Sequence, residues 1–145
     1  MLFDEELKTK LYHVAEEATN NAYAPYSKFR VGAALLTDKG DIYTGCNVEN
    51  VSYGMTICGE RNAIVHAVSV EGPKMKIRAM AVATMPKIPA SPCGACRQVM
   101  LEFTTPESVL YFMGDKGIEA VRIRDLLPSG FQSFVGEDVF GTQEF

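Results

Sequence analysis

The sequence predicts an α/β protein of three layers, in which helices cover both faces of a mixed five-stranded sheet. Apolar residues recur at helical spacing near the N-terminus, five short segments have the apolar content of strands, and two further helical segments separate those strands. A hairpin followed by helix, strand, helix and strand produces both parallel and antiparallel pairs. We assign residues 1–145 to one domain, because this length suffices for a single core.

The composition argues against two kinds of partner, nucleic acids and membranes. The net charge of −4 and the pI near 5.2 argue against a broad phosphate-binding surface, so we expect no nucleic-acid partner. No apolar run approaches the roughly 20 residues that span a bilayer, so we expect no membrane association. The start, Met-Leu-Phe-Asp-Glu-Glu, is acidic where a signal peptide is basic, and this predicts a cytoplasmic protein.

The first half of the chain predicts a helix and a hairpin. Residues 4–21 carry apolar side chains three or four apart and begin with carboxylates, which stabilise a helix N-terminus. Residues 29–36 and 41–46 are predicted as two strands joined by a turn. Residues 47–54 have mixed polarity and are predicted as a loop. Thr56 is predicted as the N-cap of the second helix.

The second half alternates between strands and helices. Residues 77–84 are small and apolar throughout, which is typical of a strand covered on both faces. Ser91 is predicted to cap a third helix, with Pro92 at the favoured first position. Two more strands are predicted at 109–113 and 118–123, and a short helical turn follows them.

Three cysteines and one glutamate carry the predicted chemistry. Cys93 and Cys96 stand three apart at a helix start, so both side chains lie on one side and can hold one ion. Cys58 is placed to supply a third ligand, and a catalytic zinc site takes three protein ligands and keeps one position for water. Glu60 then remains a free carboxylate for general acid/base work. We therefore predict one catalytic Zn²⁺ per chain.

The electrostatics of such a site need compensation. Helix N-termini lower the pKa of a cysteine, and both predicted ligand groups lie in first helical turns. Three thiolates nevertheless outweigh the charge of one zinc ion. Arg61 or Arg97 could supply the remaining compensation by donating hydrogen bonds to sulfur.

Two other interpretations of the cysteines stay open at this point. Cys93 and Cys96 could form a thiol–disulfide redox pair, or the zinc could be purely structural. A structural site normally has a fourth protein ligand, and the spare Cys46 lies in an apolar strand where cysteine usually fills the core. His13 and His66 lack a neighbour at ligand spacing, so we predict no metal role for them.

Several motifs resemble those of the small homotetrameric zinc-dependent cytidine deaminases. The resemblance covers nearly the whole chain. Its motifs are Cys-Gly-Glu-Arg at 58–61, Pro-Cys-Gly-Ala-Cys-Arg-Gln at 92–98, Pro-Tyr-Ser-x-Phe-x-Val-Gly-Ala at 25–33, Asn-Val-Glu-Asn-x-Ser-Tyr-Gly at 47–54 and Leu-Leu-Pro at 126–128.

The resemblance implies a cytidine deaminase-like fold and a pyrimidine-salvage reaction. Hydroxide bound to zinc would attack C4 of cytidine or 2′-deoxycytidine, releasing ammonia and leaving uridine or 2′-deoxyuridine. Cys58, Cys93 and Cys96 would hold the zinc. Glu60 would take a proton from the zinc-bound water, protonate N3 and later help ammonia depart.

The resemblance also implies how the nucleoside is held. Asn47 and Glu49 would hydrogen-bond the sugar, Phe29 would flank the base, the backbone of Gly59 would hydrogen-bond the base, and Arg61 would steady the ligand sulfurs. The family usually has alanine at position 59. Glycine gives the backbone more freedom there and destabilises the helix by roughly 0.5–1 kcal/mol relative to alanine.

Two aromatic residues are implied to act between subunits. Tyr53 and Phe131 would reach the pocket of a neighbouring copy, so that a homotetramer shares its active sites. The nearest rival is a deaminase of another cytosine nucleoside such as blasticidin S, because Ser-Gly follows Leu-Leu-Pro at 129–130. Glu49 and the loop after it resemble a site for an ordinary ribose, which favours cytidine.

Overall fold

The structure is a computed structural model that describes residues 4–131. Residues 1–3 and the tail at 132–145 therefore lie outside the described residues. The strands are β1 (Arg30–Thr37), β2 (Ile42–Cys46), β3 (Ile77–Met85), β4 (Thr104–Gly114) and β5 (Gly117–Arg122). The helices are α1 (Glu5–Ala18), α2 (Gly59–Glu71) and α3 (Gly94–Glu102), with short 3₁₀ turns at Thr19–Asn21, Tyr53–Met55 and Ile123–Leu126.

The five strands form one mixed sheet in the order β2-β1-β3-β4-β5. The strand β1 pairs antiparallel with β2 and with β3, the pair β3–β4 is parallel, and β4–β5 is antiparallel. Arg30 at the start of β1 lies beside Met85 at the end of β3, and Gly32 lies beside Cys46 at the end of β2. One edge of the sheet thus collects the carboxyl ends of β2 and β3, and the predicted fold class is confirmed.

Two apolar layers flank the sheet, because neighbouring strand residues point to opposite faces. On one face, α1 packs through Leu11, Tyr12 and Ala15 against a cluster that includes Ala34, Ala81 and Tyr111. On the other face, α2 and α3 pack through residues such as Ile64, Ala67 and Met100 against Leu35, Met80 and Leu110. The alternation along each strand produces the three layers. None of the helices within residues 4–131 is long and apolar enough to cross a membrane.

Both predicted helix caps are wrong by two residues. Cys58 and Cys93 are the N-caps of α2 and α3, with extended backbone at ψ 154° and 165°. Ile57 exchanges two backbone hydrogen bonds of 3.0 Å with Val48, which keeps the chain extended past Thr56. Thr56 Oγ1 instead accepts from the backbone N–H of Asn50 at 3.3 Å. Cys58 and Cys93 therefore lie at the N-cap positions of their helices, just before the first helical residue.

Some boundaries also differ from the prediction. The first helix ends at Ala18 and continues as a 3₁₀ turn to Asn21. The strand β4 begins at Thr104, five residues before the predicted start, and its register against β3 shifts between Ile77 and Ala79. Residues 104–108 are Thr-Thr-Pro-Glu-Ser, so the apolar content from which the strand was predicted begins only at Val109.

The helix α2 lies directly on the backbone of β2 at Gly45. A Cβ at that position would stand 2.3 Å from the backbone N of Ala63 and 2.6 Å from the O of Gly59. We expect Gly45→Ala to lower the free energy of unfolding by more than about 3 kcal/mol, because overpacking typically costs about 1–3 kcal/mol and backbone atoms yield less than side chains. Denaturant unfolding measures this loss.

The matched control is Gly54→Ala, because no atom lies within 4 Å of a Cβ built at Gly54. This control should unfold within about 0.5 kcal/mol of the wild type. Equal stability of the two variants would contradict the close packing of α2 on β2.

Candidate active site

Three cysteines converge at the edge of the sheet where β2 and β3 end. The Sγ atoms of Cys58, Cys93 and Cys96 all lie within 4.8 Å of one another, and those of Cys58 and Cys93 are 4.0 Å apart. Tetrahedral zinc with bonds of about 2.3 Å requires sulfurs about 3.8 Å apart. The residues present therefore fit a zinc ion with a cysteine contributed by each of two helix ends and one from the first turn of α3.

The fourth cysteine is separate from this group. Cys46 is half-buried in β2, and burial raises the pKa of its thiol. All four cysteines are free thiols. His66 lies apart as well, with its Nδ1 3.0 Å from the carbonyl O of Thr44 and its ring edge-on to Tyr43.

Hydrogen-bond donors surround the sulfurs. Arg61 Nη2 donates to Cys58 Sγ at 3.4 Å, and the backbone N–H of Cys96 donates to Cys93 Sγ at 3.5 Å. The N-termini of α2 and α3 add the favourable ends of two helix dipoles. Arg61 and Arg97 were both candidates for donating hydrogen bonds to sulfur, but Arg97 donates to three oxygen atoms instead. Positive charge at the sulfurs therefore comes from Arg61 and the helix ends.

The side chains of Cys58 and Cys96 differ in their affinity for a proton. The pKa of Cys58 lies well below its ordinary value because Cys96 donates its S–H to the Cys58 sulfur and the Arg61 guanidinium is close. The pKa of Cys96 is raised for the reciprocal reason, with burial as a further cause. These shifts favour a thiolate at Cys58, and metal binding requires the deprotonated form of each cysteine ligand.

The carboxylate of Glu60 lies beside the sulfurs in a dry position. Its Oε2 lies 3.8 Å from Cys96 Sγ, and the residue is only 5% exposed. Burial raises the pKa of Glu60, and the negative charge of Cys58 raises it further. A carboxyl group with a raised pKa can both accept and return a proton near neutral pH.

A cavity of about 270 Å³ opens beside the sulfurs and Glu60. Six of the predicted site residues line it: Phe29, Asn47, Glu49, Cys58, Glu60 and Cys93. The volume lies just below the range of small-molecule sites, about 300–1,000 Å³. The wall also contains Ser27, Thr56 and Thr84, none of which was predicted from the sequence to be a site residue.

Asn47 and Glu49 already have partners within the chain. The Asn47 side chain accepts from the N–H of Val31 and donates to the O of Phe29, both at 2.8 Å, which extends the pairing of β1. The carboxylate of Glu49 accepts from the backbone N–H groups of Tyr26 and Ser27 and from the Ser27 hydroxyl. The Ser27 hydroxyl is the main cause that lowers the pKa of Glu49.

Ser27 also accepts from the N–H of Phe29 at 3.0 Å, so it links Phe29 to Glu49. A signal for it existed in the sequence, because Ser27 stands inside the Pro-Tyr-Ser motif. The geometry shows what that serine contacts.

Gly59 is buried at the first position of α2. A Cβ there would stand 3.2 Å from the O of Val31 and 3.4 Å from the N of Asn47. Alanine, the usual residue of the family at this position, would require the Val31 carbonyl to shift by a few tenths of an ångström.

The remaining two predicted residues lie outside this cavity. Tyr53 is 73% exposed, stacks edge-on with Tyr26 at 5.8 Å and lines an adjoining hollow of about 350 Å³. Phe131 is 74% exposed, and its backbone is held by the side chain of Gln98. It lines a separate hollow with Leu101 and Arg124. Within one chain the structure does not bring Phe131 to the cysteine group.

Replacing Arg61 by glutamine should weaken metal binding or slow turnover. The side chain of Arg61 is the cation that contacts Cys58, so its loss leaves the excess negative charge of three thiolates to the helix ends alone. We expect a loss of about 10–100-fold in zinc affinity, the size typical of an outer-shell partner. Chelator competition measures affinity, and Arg78→Gln on the exposed side of β3 serves as control. If neither affinity nor turnover changes, the helix ends suffice.

Comparison with known proteins agrees with this geometry. The family described as "Cytidine and deoxycytidylate deaminase zinc-binding region" matches residues 5–113. The cytidine deaminase of Sporosarcina psychrophila is 48% identical over 84% of this chain and 89% of its own length. That of Halalkalibacterium halodurans is 45% identical over 81% and 88%, respectively.

Solved structures show the same fold. The crystal structure of cytidine deaminase from Burkholderia pseudomallei superposes with a TM-score of 0.76 at 42% identity, covering 85% of this chain and 98% of that chain. The resemblance inferred from the motifs is confirmed. The matched region contains all three converging cysteines and Glu60, so the chain is a zinc-binding hydrolase. It belongs to the cytidine and deoxycytidylate deaminase family.

Proposed function

We propose that this chain catalyses the hydrolytic deamination of cytidine and 2′-deoxycytidine to uridine and 2′-deoxyuridine, with release of ammonia. The observation that carries the proposal is the position of Glu60 beside three converging cysteine sulfurs, at the wall of a cavity of about 270 Å³. Relatives named cytidine deaminase that are 48% and 45% identical support the same reaction.

In this proposal Cys58, Cys93 and Cys96 hold one zinc ion. When bound, zinc supplies a Lewis acid that lowers the pKa of water from about 15.7 towards about 7. Glu60 accepts the first proton that the attacking water loses and delivers it to N3 of the base as the C4–O bond forms. It then takes the remaining proton from the hydroxyl at C4 and passes it to the amino group, which leaves as ammonia when the C4–N bond breaks. Its burial keeps bulk water away from these transfers.

Residues of the cavity wall hold the nucleoside. Phe29 flanks the base, and the backbone N–H of Gly59, at the first position of α2, donates to it. Asn47 and Glu49 receive the sugar. Both side chains are held in place by backbone groups of the 26–31 segment, and each keeps further hydrogen-bonding capacity for a hydroxyl.

The proposed assembly is a homotetramer with shared active sites. Tyr53 and Phe131 are exposed, and each would reach the cavity of a neighbouring copy. Further apolar side chains lie exposed on the same loop as Tyr53, namely Val51 and Met55. Apolar groups in such numbers on one loop support burial against another subunit.

Two broader proposals complete this function. We place the enzyme in the cytoplasm, in pyrimidine salvage, because four free thiols suit a reducing compartment. Residues 1–145 would form a single catalytic domain, of which the described part already contains both apolar layers and the site.

One assay tests the substrate class. Purified protein is mixed separately with cytidine, 2′-deoxycytidine and blasticidin S, and the ultraviolet spectrum of each is followed. Turnover of the first two and little of the third is expected. Preference for blasticidin S would mean that this nucleoside, and not cytidine, is the substrate. Inactivity on all three would refute the proposal.

Metal content separates the remaining interpretations of the cysteines. We expect one tightly held zinc per chain, which would exclude a working dithiol pair at Cys93 and Cys96. Protein that is fully active without metal would contradict the zinc mechanism.

A further inference from the structure

The three ligand sulfurs differ in what fixes them. Cys96 is fully buried within the apolar layer between α3 and the sheet. Cys58 is half-buried and contacted by Arg61. Cys93 is exposed and follows the exposed Ser91 and the buried Pro92, at the end of a loop between β3 and α3. Core packing therefore encloses the Cys96 sulfur, whereas the position of the exposed Cys93 sulfur depends on how the loop before it is held.

The side chain of Arg97 holds this loop from inside α3. Its Nε donates to the O of Pro92 at 2.8 Å and its Nη2 donates to Ser91 Oγ at 2.8 Å. Its Nη1 donates at 2.9 Å to the O of Leu126, in the 3₁₀ turn Ile123–Leu126. One guanidinium thus joins the two residues before Cys93 to a turn on another part of the chain.

We infer that Arg97 is a positioning residue, which fixes the loop ending at Cys93 so that its sulfur is held ready for zinc. The inference rests on the ligand role proposed for Cys93. Three nitrogens of one planar, rigid fork donate in three directions, so a single side chain restrains the loop relative to both α3 and the 3₁₀ turn. A metal site whose loop is held in place loses less conformational entropy when the ion binds.

The substitution Arg97→Lys tests the geometry while keeping the charge. An ammonium group is a single point and does not reproduce three bonds from a rigid fork. We expect zinc affinity, measured by competition with a chromophoric chelator, to fall about 10–100-fold, as for other outer-shell partners. Ser91→Ala removes only one of the bonds and should weaken zinc binding in the same direction by a smaller factor.

Thermal unfolding of the metal-free and zinc-loaded proteins provides the second measurement. If Arg97 acts on the zinc site, the rise in melting temperature on zinc binding becomes smaller in Arg97→Lys than in the wild type. The control Arg124→Lys changes an exposed arginine on the same 3₁₀ turn and should leave both measurements unchanged.

Several outcomes would overturn the inference. Wild-type zinc affinity in both Arg97→Lys and Ser91→Ala would do so, as would an equal fall in the melting temperatures of both forms with affinity unchanged. If Arg97→Lys does not fold, Ser91→Ala decides alone. A wild-type chain that holds no zinc would overturn the ligand assignment itself, and with it this role of Arg97.

Discussion

Glu60→Gln should abolish nearly all deaminase activity while the protein keeps its fold and its zinc. Glutamine preserves the size of the side chain and one oxygen near Cys96, but it cannot accept and return a proton. General acid/base catalysis is typically worth about 10²–10⁴ in rate, so kcat should fall by a factor in that range. The measurement is steady-state turnover of cytidine, together with metal content and the unfolding curve of each protein.

A matched control uses the other end of the same helix. Glu71 closes α2, eleven residues or about 16 Å from Glu60, and its carboxylate accepts from Thr37 Oγ1 at 2.8 Å. Glu71→Gln should turn over cytidine at close to the wild-type rate. Near-normal turnover in Glu60→Gln would remove Glu60 from the proton-transfer role, whatever its position beside the sulfurs.

The stability of Glu60→Gln carries a second expectation. Burial raises the pKa of Glu60 in the folded chain, because the charged carboxylate is unfavourable there. Once the pH rises above the ordinary pKa of a glutamate, this group therefore destabilises the folded state relative to the unfolded one. Glutamine removes that charge. The metal-free variant should therefore unfold at a temperature equal to or above that of the metal-free wild type at neutral pH.

The layers of the fold could be predicted because their signals are local. Strand periodicity and helix periodicity each arise from neighbours within a few residues, and the segments around Leu35, Ile64 and Met80 lie where those patterns place them. The helix caps could not be predicted in this way. A threonine has a general preference for N-caps, but the two backbone bonds between Val48 and Ile57 come from a different part of the chain and outweigh it.

The zinc site shows the same division. Residue type and spacing indicated Cys93 and Cys96, and a glutamate near Cys58 indicated proton transfer. Cys58 and Cys93 are 35 positions apart in the chain, yet their sulfurs lie 4.0 Å apart. This approach depends on the order of the strands, which no local pattern contains. The loop anchored by Arg97 is another long-range feature, since its third acceptor lies at Leu126.

Cys93→Ser should remove zinc and activity together while leaving the fold intact. Cys93 is exposed, so the substitution removes a sulfur ligand without opening a cavity in the core. Serine is a much weaker ligand for zinc than a thiolate, so affinity should fall by more than the roughly 10–100-fold that an outer-shell change costs. Metal analysis after dialysis and turnover of cytidine measure the two losses.

The control is Cys46→Ser, which changes a cysteine outside the ligand group and should retain one zinc per chain and nearly full turnover. The unfolding curve of Cys93→Ser decides between a catalytic and a structural metal. Two apolar layers already hold the sheet, so the zinc-free variant should unfold cooperatively, as a folded protein does. A variant that is unfolded without zinc would instead mean that the metal supports the fold, as in zinc fingers, and that the open coordination position needed for water is in question.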